Sequence, residues 1–293
     1  MKRHGVERID WPTAGDWAWF CQLAKQEGWQ VPTGEPALYC RLAGGRALVL
    51  RRGDQPVGLV TLLLHEHSGW IGNLLVAPAW RGQGCGGRLF RQAVRLARQA
   101  GIRRLWLTAS HQGQPLYQRL GFEPVAGMLR WQGRGLAQQS TDALPALAAN
   151  DSQSLTPLLA ADRQVWGEDR QKLLAALAPT GLLVQQPADP PAPAQLALLQ
   201  PVAAGVWLLG PWLNSGAPTS APQQLEPLLT AARQRLPASA LLLADLVQPA
   251  PPLCAELARC GQLTQGVNIL MGQNVAGLPA AGLIALASLG SCG

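Results

Sequence analysis

The sequence predicts an α/β (α+β) chain of two similarly ordered halves, each a mixed, mostly antiparallel sheet flanked by helices. Three observations carry this. Two apolar runs, 46–51 and 55–64, are joined by the turn Arg52-Gly53-Asp54, and a third run, 70–76, returns after them. That third run feeds a glycine-rich loop which opens a helically spaced segment. The order of helices, strands, then strand–helix–strand–helix–strand recurs after residue 136.

The first half begins with a helix over 16–27, whose apolar stripe is Trp17, Phe20, Leu23 and Ala24. Asp10 or Asp16 is its candidate cap and Gly28 its stop. Pro32, Gly34 and Pro36 mark 28–36 as a loop, and His65 to Gly69 is the turn before the third strand. Pro78 ends that strand, because proline cannot donate to a sheet ladder. After the loop, Leu89, Phe90, Ala93, Val94, Leu96 and Ala97 form one helical face, and Gly101 ends the helix. A strand at 104–108, a short helix at 114–120 and strands at 122–125 and 128–131 complete the half.

A polar linker, 134–151, runs into a predicted strand at 142–147. The second half then reads as helices 151–161 and 171–178, and strands 181–185, 196–200 and 206–210, with a proline loop at 187–193. Helix 222–236, strand 240–246, helix 252–260 and strands 263–271 and 283–289 close it.

Composition narrows the function. The chain is 48% hydrophobic and only 14% charged, enough apolar material for real cores. Its net charge of +7 is carried mostly by arginine, which a GC-rich genome explains best; attraction for an anionic ligand is the alternative, and the arginines cluster between Arg81 and Arg104. Nucleic acid would call for a basic stripe with aromatics, so none is expected as a partner. Six cysteines without a CxxC pair give neither a disulfide framework nor a metal site, which fits a reducing cytoplasm. The N-terminus has no apolar signal region and 278–289 is too short and too broken to span a bilayer, so no membrane is expected.

The chemistry concentrates in Arg81-Gly82-Gln83-Gly84-Cys85-Gly86-Gly87. Glycines let backbone N–H groups approach a ligand, and a helix N-terminus offers orphan donors to a pyrophosphate. No Lys-Ser/Thr follows the last glycine, so this is not a Walker loop, and Arg81 stands where a Rossmann fingerprint needs its first glycine. Cys85 reads as a small residue tolerated between glycines.

Val76-x-Pro78-x-x-Arg81-Gly82-x-Gly84-x-Gly86 resembles the acyl-CoA signature of the GCN5-related N-acetyltransferases, the GNAT superfamily. Leu116-Tyr117-Gln118-Arg119-Leu120-Gly121-Phe122 resembles that family's second element at the expected distance. Glu27-Gly28-Trp29, Asp162-x-x-x-x-Gly167-x-Asp169-Arg170-x-x-Leu173-Leu174 and Leu209-Gly210-Pro211-Trp212 extend the resemblance to the YitH-like tandem subgroup.

The resemblance implies a tandem GNAT fold with splayed sheets. Residues 1–135 would be a catalytic domain binding acetyl-CoA, and 136–293 a degenerate one whose loop at 210–222 lacks the CoA motif. Pantetheine is expected along Leu74, Leu75 and Val76, and the diphosphate on the loop from Arg81 to Gly87. Ser110 stands where the family often has a cofactor-binding Asn. Tyr117 matches the residue that protonates the leaving sulfur. The strand positions that often hold a base are Trp70, Gly72 and Asn73 here, which leaves Glu66 or His67 as the nearest titratable groups. Trp29, Trp70 and Asn73 are expected on the acceptor side. Asp169-Arg170 is either a helix-start ion pair or part of the acceptor wall.

The implied activity is N-acetyl transfer to a primary amine, on a small molecule first and on a protein lysine or N-terminus second. A non-catalytic acyl-CoA sensor is the rival, and the state is a monomer or homodimer.

Overall fold

The computed structural model describes residues 6–32, 34–42, 44–136, 152–186, 194–215, 225–249, 251–278, 282–288, 290 and 293. The first half contains β1 (Glu7–Asp10), α1 (Ala14–Gln26), α2 (Glu35–Arg41), β2 (Gly45–Arg52), β3 (Gln55–Leu64), β4 (Ser68–Val76), α3 (Cys85–Gln99), β5 (Arg104–Ala109), α4 (Gln114–Gln118) and β6 (Glu123–Arg134). The second contains α5 (Ser152–Trp166), α6 (Gln171–Leu177), β7 (Leu182–Gln186), β8 (Ala194–Ala203), β9 (Val206–Ser215), α7 (Glu226–Gln234), β10 (Leu241–Val247), α8 (Pro251–Cys260), β11 (Gln262–Gln273) and β12 (Leu283–Ala285). The strand expected at 142–147, the proline loop and most of 210–222 lie outside the described residues.

Two elements differ from the sequence expectation. β1 is a short edge strand of charged character, with too few apolar residues to announce itself. α2 starts at Glu35 inside the expected loop; its Pro36 falls in the first turn, where the missing N–H costs nothing. The cap of α1 is also neither Asp10 nor a lone Asp16. Thr13 caps it, with Asp16 at the third helical position: the Thr13 N–H donates to Asp16 Oδ2 at 2.6 Å and the Asp16 N–H to Thr13 Oγ1 at 3.3 Å. Both orphan donors are satisfied reciprocally.

All described strands join one sheet, in the order β1-β2-β3-β4-β5-β11-β6-β10-β12-β9-β8-β7. β11 of the second half lies between β5 and β6 of the first, and β6 lies between β11 and β10. Each half therefore contributes one long strand next to the other half's central strand. Arg130 on β6 ties the exchange with a two-pronged ion pair to the buried Asp245 on β10, at 2.7 and 3.0 Å.

The two halves part their central strands in the same way. β4 and β5 are parallel partners only from Ser68↔Arg104 to Trp70↔Trp106. Beyond that, β4 bulges between Gly72 and Leu75, with Asn73 at φ 53°, and turns away. β9 and β10 are parallel partners from Val206↔Leu241 to Leu208↔Leu243 and then also separate, around β12.

Packing explains why the halves hold together. One apolar core joins Trp17 and Phe20 of α1, Leu38 and Tyr39 of α2, Leu158 and Trp166 of α5 and Leu173 of α6 against the sheet. Leu89, Phe90, Ala93 and Ala97 of α3 form a second core in the first half, and Leu228, Leu229 and Ala232 of α7 with Trp131 and Trp212 a third. No described helix is long and apolar enough to cross a membrane.

Candidate active site

Where β4 leaves β5, a cavity of about 360 Å³ opens. Gly72, Asn73 and Leu74 line it from β4, Thr108 and Ser110 from the end of β5, Tyr117 from α4, and Trp29 with Glu35 from the approach to α2. Arg130, Asn268, Ser288 and Gly290 close it from the exchanged strands and the last residues.

The glycine loop stands at the end of β4. Gly82 and Gly84 take φ of 72° and 76°, left-handed values that a Cβ would strain, and Gly84 leads into α3 without a side-chain cap. The amides of Cys85, Gly86 and Gly87 in the first turn have no intrahelical acceptor. They form the anion-facing end of a 15-residue helix with no acidic group in its first turn. Cys85 itself is buried in the α3 core.

Arg81 is a tether as well as a charge. Its Nε donates to the Val76 carbonyl at 2.9 Å and its guanidinium pairs with Glu27 at 2.8 Å, so it clamps the loop to β4 and to the end of α1. Gln83 donates to the Ala79 carbonyl at 3.1 Å and accepts from Arg52 at 3.2 Å. Of the three residues expected along the cofactor arm, Leu74 lines the cavity, Leu75 is buried in the core and Val76 supplies the carbonyl that holds Arg81.

Ser110 and Tyr117 face the same space. Ser110 Oγ accepts from the Gly113 N–H at 3.2 Å, which fixes the turn into α4. The Tyr117 ring packs on Phe90 with centroids 5.2 Å apart, and removal from water pushes its phenol up to about 12. The phenol therefore stays protonated at any working pH.

Glu35, which the sequence reading passed over, is a buried carboxylate on the cavity wall. It accepts a hydrogen bond from Asn73 Nδ2, so the bulged residue of β4 and the first residue of α2 fix one another. The signal was present: Glu followed by Pro is a good helix opening, but the flanking glycine and prolines read as loop. The Asn73 N–H donates to the Gly290 carbonyl at 3.0 Å.

The remaining expected site residues fall elsewhere. Trp70 is buried in the stretch of β4 still paired with β5; Gly293 packs on its ring, and it does not line the cavity. Glu66 and His67 sit in the turn at the closed end of that pair. Six residue steps along the strand separate His67 from Asn73, roughly 20 Å. Glu66 accepts from the Asp169 N–H at 2.9 Å and contacts His67 at 3.7 Å. Buried Glu168 accepts from the His67 and Ser68 amides at 2.8 and 2.9 Å. These groups join the 166–170 loop to the first half. Arg170 pairs with Asp162 at 2.6 and 3.0 Å, both fully buried, under the Trp166 ring.

A loop of amides beside parted strands is the geometry that the sequence motifs implied. Residues 11–122 match the acetyltransferase (GNAT) family. Members of this family are N-acetyltransferases that use acetyl-CoA. The chain is 32% identical over 80 residues to a Bacillus subtilis protein provisionally described as a ribosomal-protein-bS18 alanine N-acetyltransferase. That match covers 26% of this chain and 53% of the relative, so the chain spans about half the length of that protein. A Pyrococcus horikoshii structure, provisionally described as an acetyltransferase, superposes with a TM-score of 0.70 over 98% of this chain and 94% of its own, at 16% identity. A GCN5-related N-acetyltransferase from Kribbella flavida superposes with a TM-score of 0.52 over 91% of this chain and 71% of its own, at 14% identity. The chain shares its fold with both structures over most of its length.

Proposed function

We propose that the protein is an acetyl-CoA-dependent N-acetyltransferase whose acceptor is a primary amine on a small molecule. The observation that carries this is the cavity between β4 and β5, in which Glu35 and Tyr117 face one space beside the uncapped start of α3. The amides of 82–87 would hold the diphosphate and the free edge of β4 the pantetheine arm, as an added strand would lie.

Amide formation then starts from the neutral form of the amine, which sheds a single proton as it is acylated. Glu35 is the carboxylate placed to accept its proton, in preference to Glu66 or His67 at the far end of β4. The amine nitrogen bonds the thioester carbon, the C–S bond breaks, and the nitrogen's proton passes to Glu35. The sulfur leaves as a thiolate beside Tyr117. A thiol ordinarily ionises near ~8.5, so a phenol at about 12 donates a hydrogen bond to that thiolate more readily than it surrenders its proton. We read Tyr117 as a stabiliser of the leaving sulfur on that ground.

We further propose two working halves, 1–135 and 136–293, of the YitH-like tandem kind, with acetyl-CoA held only by the first. Free cysteines at 21, 40, 85, 254 and 260 suit a cytoplasmic setting. The decisive experiment follows thiol release from acetyl-CoA with a panel of amines, beside calorimetry of cofactor binding. Binding without release for every amine would replace the enzyme with an acyl-CoA sensor. One observation favours a second reading, a protein N-terminus as acceptor: the similarity to the B. subtilis protein. A peptide beginning with alanine belongs in the panel for that reason.

A further inference from the structure

We infer that the acceptor is an amine joined through an apolar body to an anionic group, and that this body lies in a second cavity between the two halves. The inference rests on the acetyl-transfer reading of the first cavity and names its substrate class.

The second cavity holds about 630 Å³, enough for a small organic molecule. Both halves build it: Leu38 of α2 and Leu42 just after that helix on one side, Leu208 of β9 and Leu177 of α6 on the other. Glu35 and Ser288 line both cavities, so the two spaces adjoin at the carboxylate assigned to deprotonate the amine. A substrate lying here presents its nitrogen to the thioester from the side opposite the cofactor loop.

Charge gives the substrate its polarity. Besides Glu35, the ionisable lining residues among those described are Arg41 and Lys172, both exposed. Among the described residues neither enters an ion pair. Arg41 follows Glu35 by six residues on α2, about 9 Å of helix rise. The cavity therefore has an anionic inner end, an apolar middle and a cationic rim. An amine with a carboxylate or phosphate some five or six carbons away matches this order, while a diamine meets Lys172 and Arg41 with like charge. The chain's net charge of +7 draws such anions inward as well.

The test uses the full chain, acetyl-CoA and three amines of one length: 6-aminohexanoate, hexylamine and 1,6-diaminohexane. The expected order of kcat/KM is aminohexanoate first and the diamine last, with roughly fivefold steps for exposed charge contacts. Lys172→Glu should cancel or invert the order. Ala175→Trp, at an exposed position on the cavity wall, should raise KM for all three while the acetyl-CoA Kd stays fixed. An order that Lys172→Glu does not alter, an unchanged KM in Ala175→Trp, or preference for the alanine peptide would overturn this inference and leave acetyl transfer standing. Cofactor binding without thiol release from these three amines, while another amine of the panel does release thiol, overturns the acceptor assignment alone; binding without release for every amine overturns acetyl transfer as well. No heat with acetyl-CoA overturns both readings.

Discussion

The parting of β4 from β5 and the parting of β9 from β10 are the same event in two halves of one chain, yet among the described residues the first opens into a cavity and the second is occupied by a strand. Each pair is parallel over three residues and then opens. In the first half the gap becomes the cavity of Glu35 and Tyr117. In the second, β12 fills it, pairing with β9 through Leu283 and Ala285 and with β10 through Ala285. The chain beyond β12 passes so close to Gly210 that a Cβ there would lie 1.9 Å from the Leu286 carbonyl. Backbone amides at a sheet opening must find acceptors. The second half satisfies them with its own strand; in the first, among the described residues, the Gly290 carbonyl accepts from the Asn73 N–H. The difference teaches that the same strand opening is either a cavity or solid sheet according to whether a further strand pairs with its backbone groups.

The contrast can be broken most sharply at the carboxylate. Glu35→Gln keeps the shape and a partner for Asn73 but removes the base, and kcat should fall on the order of 100-fold with the acetyl-CoA Kd unchanged. A variant with full turnover would return the base to some other group. Tyr117→Phe removes one hydrogen bond to a charged sulfur, and kcat should drop on the order of thirtyfold. Because the phenol sits near 12, the basic limb of the wild-type rate profile should lack a tyrosine ionisation, and the Phe variant should show the same profile at lower height.

The loop sharpens the comparison from the binding side. Gly84→Val forces a branched side chain into a left-handed position, and acetyl-CoA affinity should weaken about tenfold by calorimetry. Wild-type stoichiometry should be one per chain; two sites would remove the contrast between the halves. Arg81→Ala should weaken affinity by roughly fivefold. Glu27→Gln should reproduce part of that loss if Arg81 acts by clamping the loop, and none of it if the guanidinium acts only on phosphate.

Much of the first half was legible because each element there obeys a local rule. Strands β2 to β4 follow from apolar runs and turn residues, and α3 from glycines followed by a 3.6-residue stripe. Glu35 was hidden because a proline-flanked loop and a proline-opened helix share the same letters. Glu66 and His67 are near Asn73 in the chain, but an extended strand carries its two ends apart, so nearness in sequence does not bring them to the cavity that Asn73 lines. The exchange of β6 and β11 leaves no local trace: Arg130 and Asp245 are 115 residues apart, and pairing at that range is decided by which edge is free.

The smallest effect tests the joint between the halves. His65, in the turn before β4, has a ring Nε2 that is buried without a partner among the described residues. Burial first, and the nearby Arg170 charge second, lower its pKa from 6.5 to about 3. Above 6.5 both folded and unfolded chains carry neutral histidine, and stability does not depend on this group. Between 6.5 and about 3 only the unfolded chain takes the proton, so stability falls as pH falls, and it levels off below. From pH 7 to pH 6 the loss should be about 0.7 kcal/mol. His65→Gln removes the proton site, so its urea midpoint should shift less over that interval than the wild type's. Equal shifts would mean that the ring reaches water, and that the 166–170 loop seals the closed end of β4 less tightly than its contacts with Glu66 and Ser68 imply.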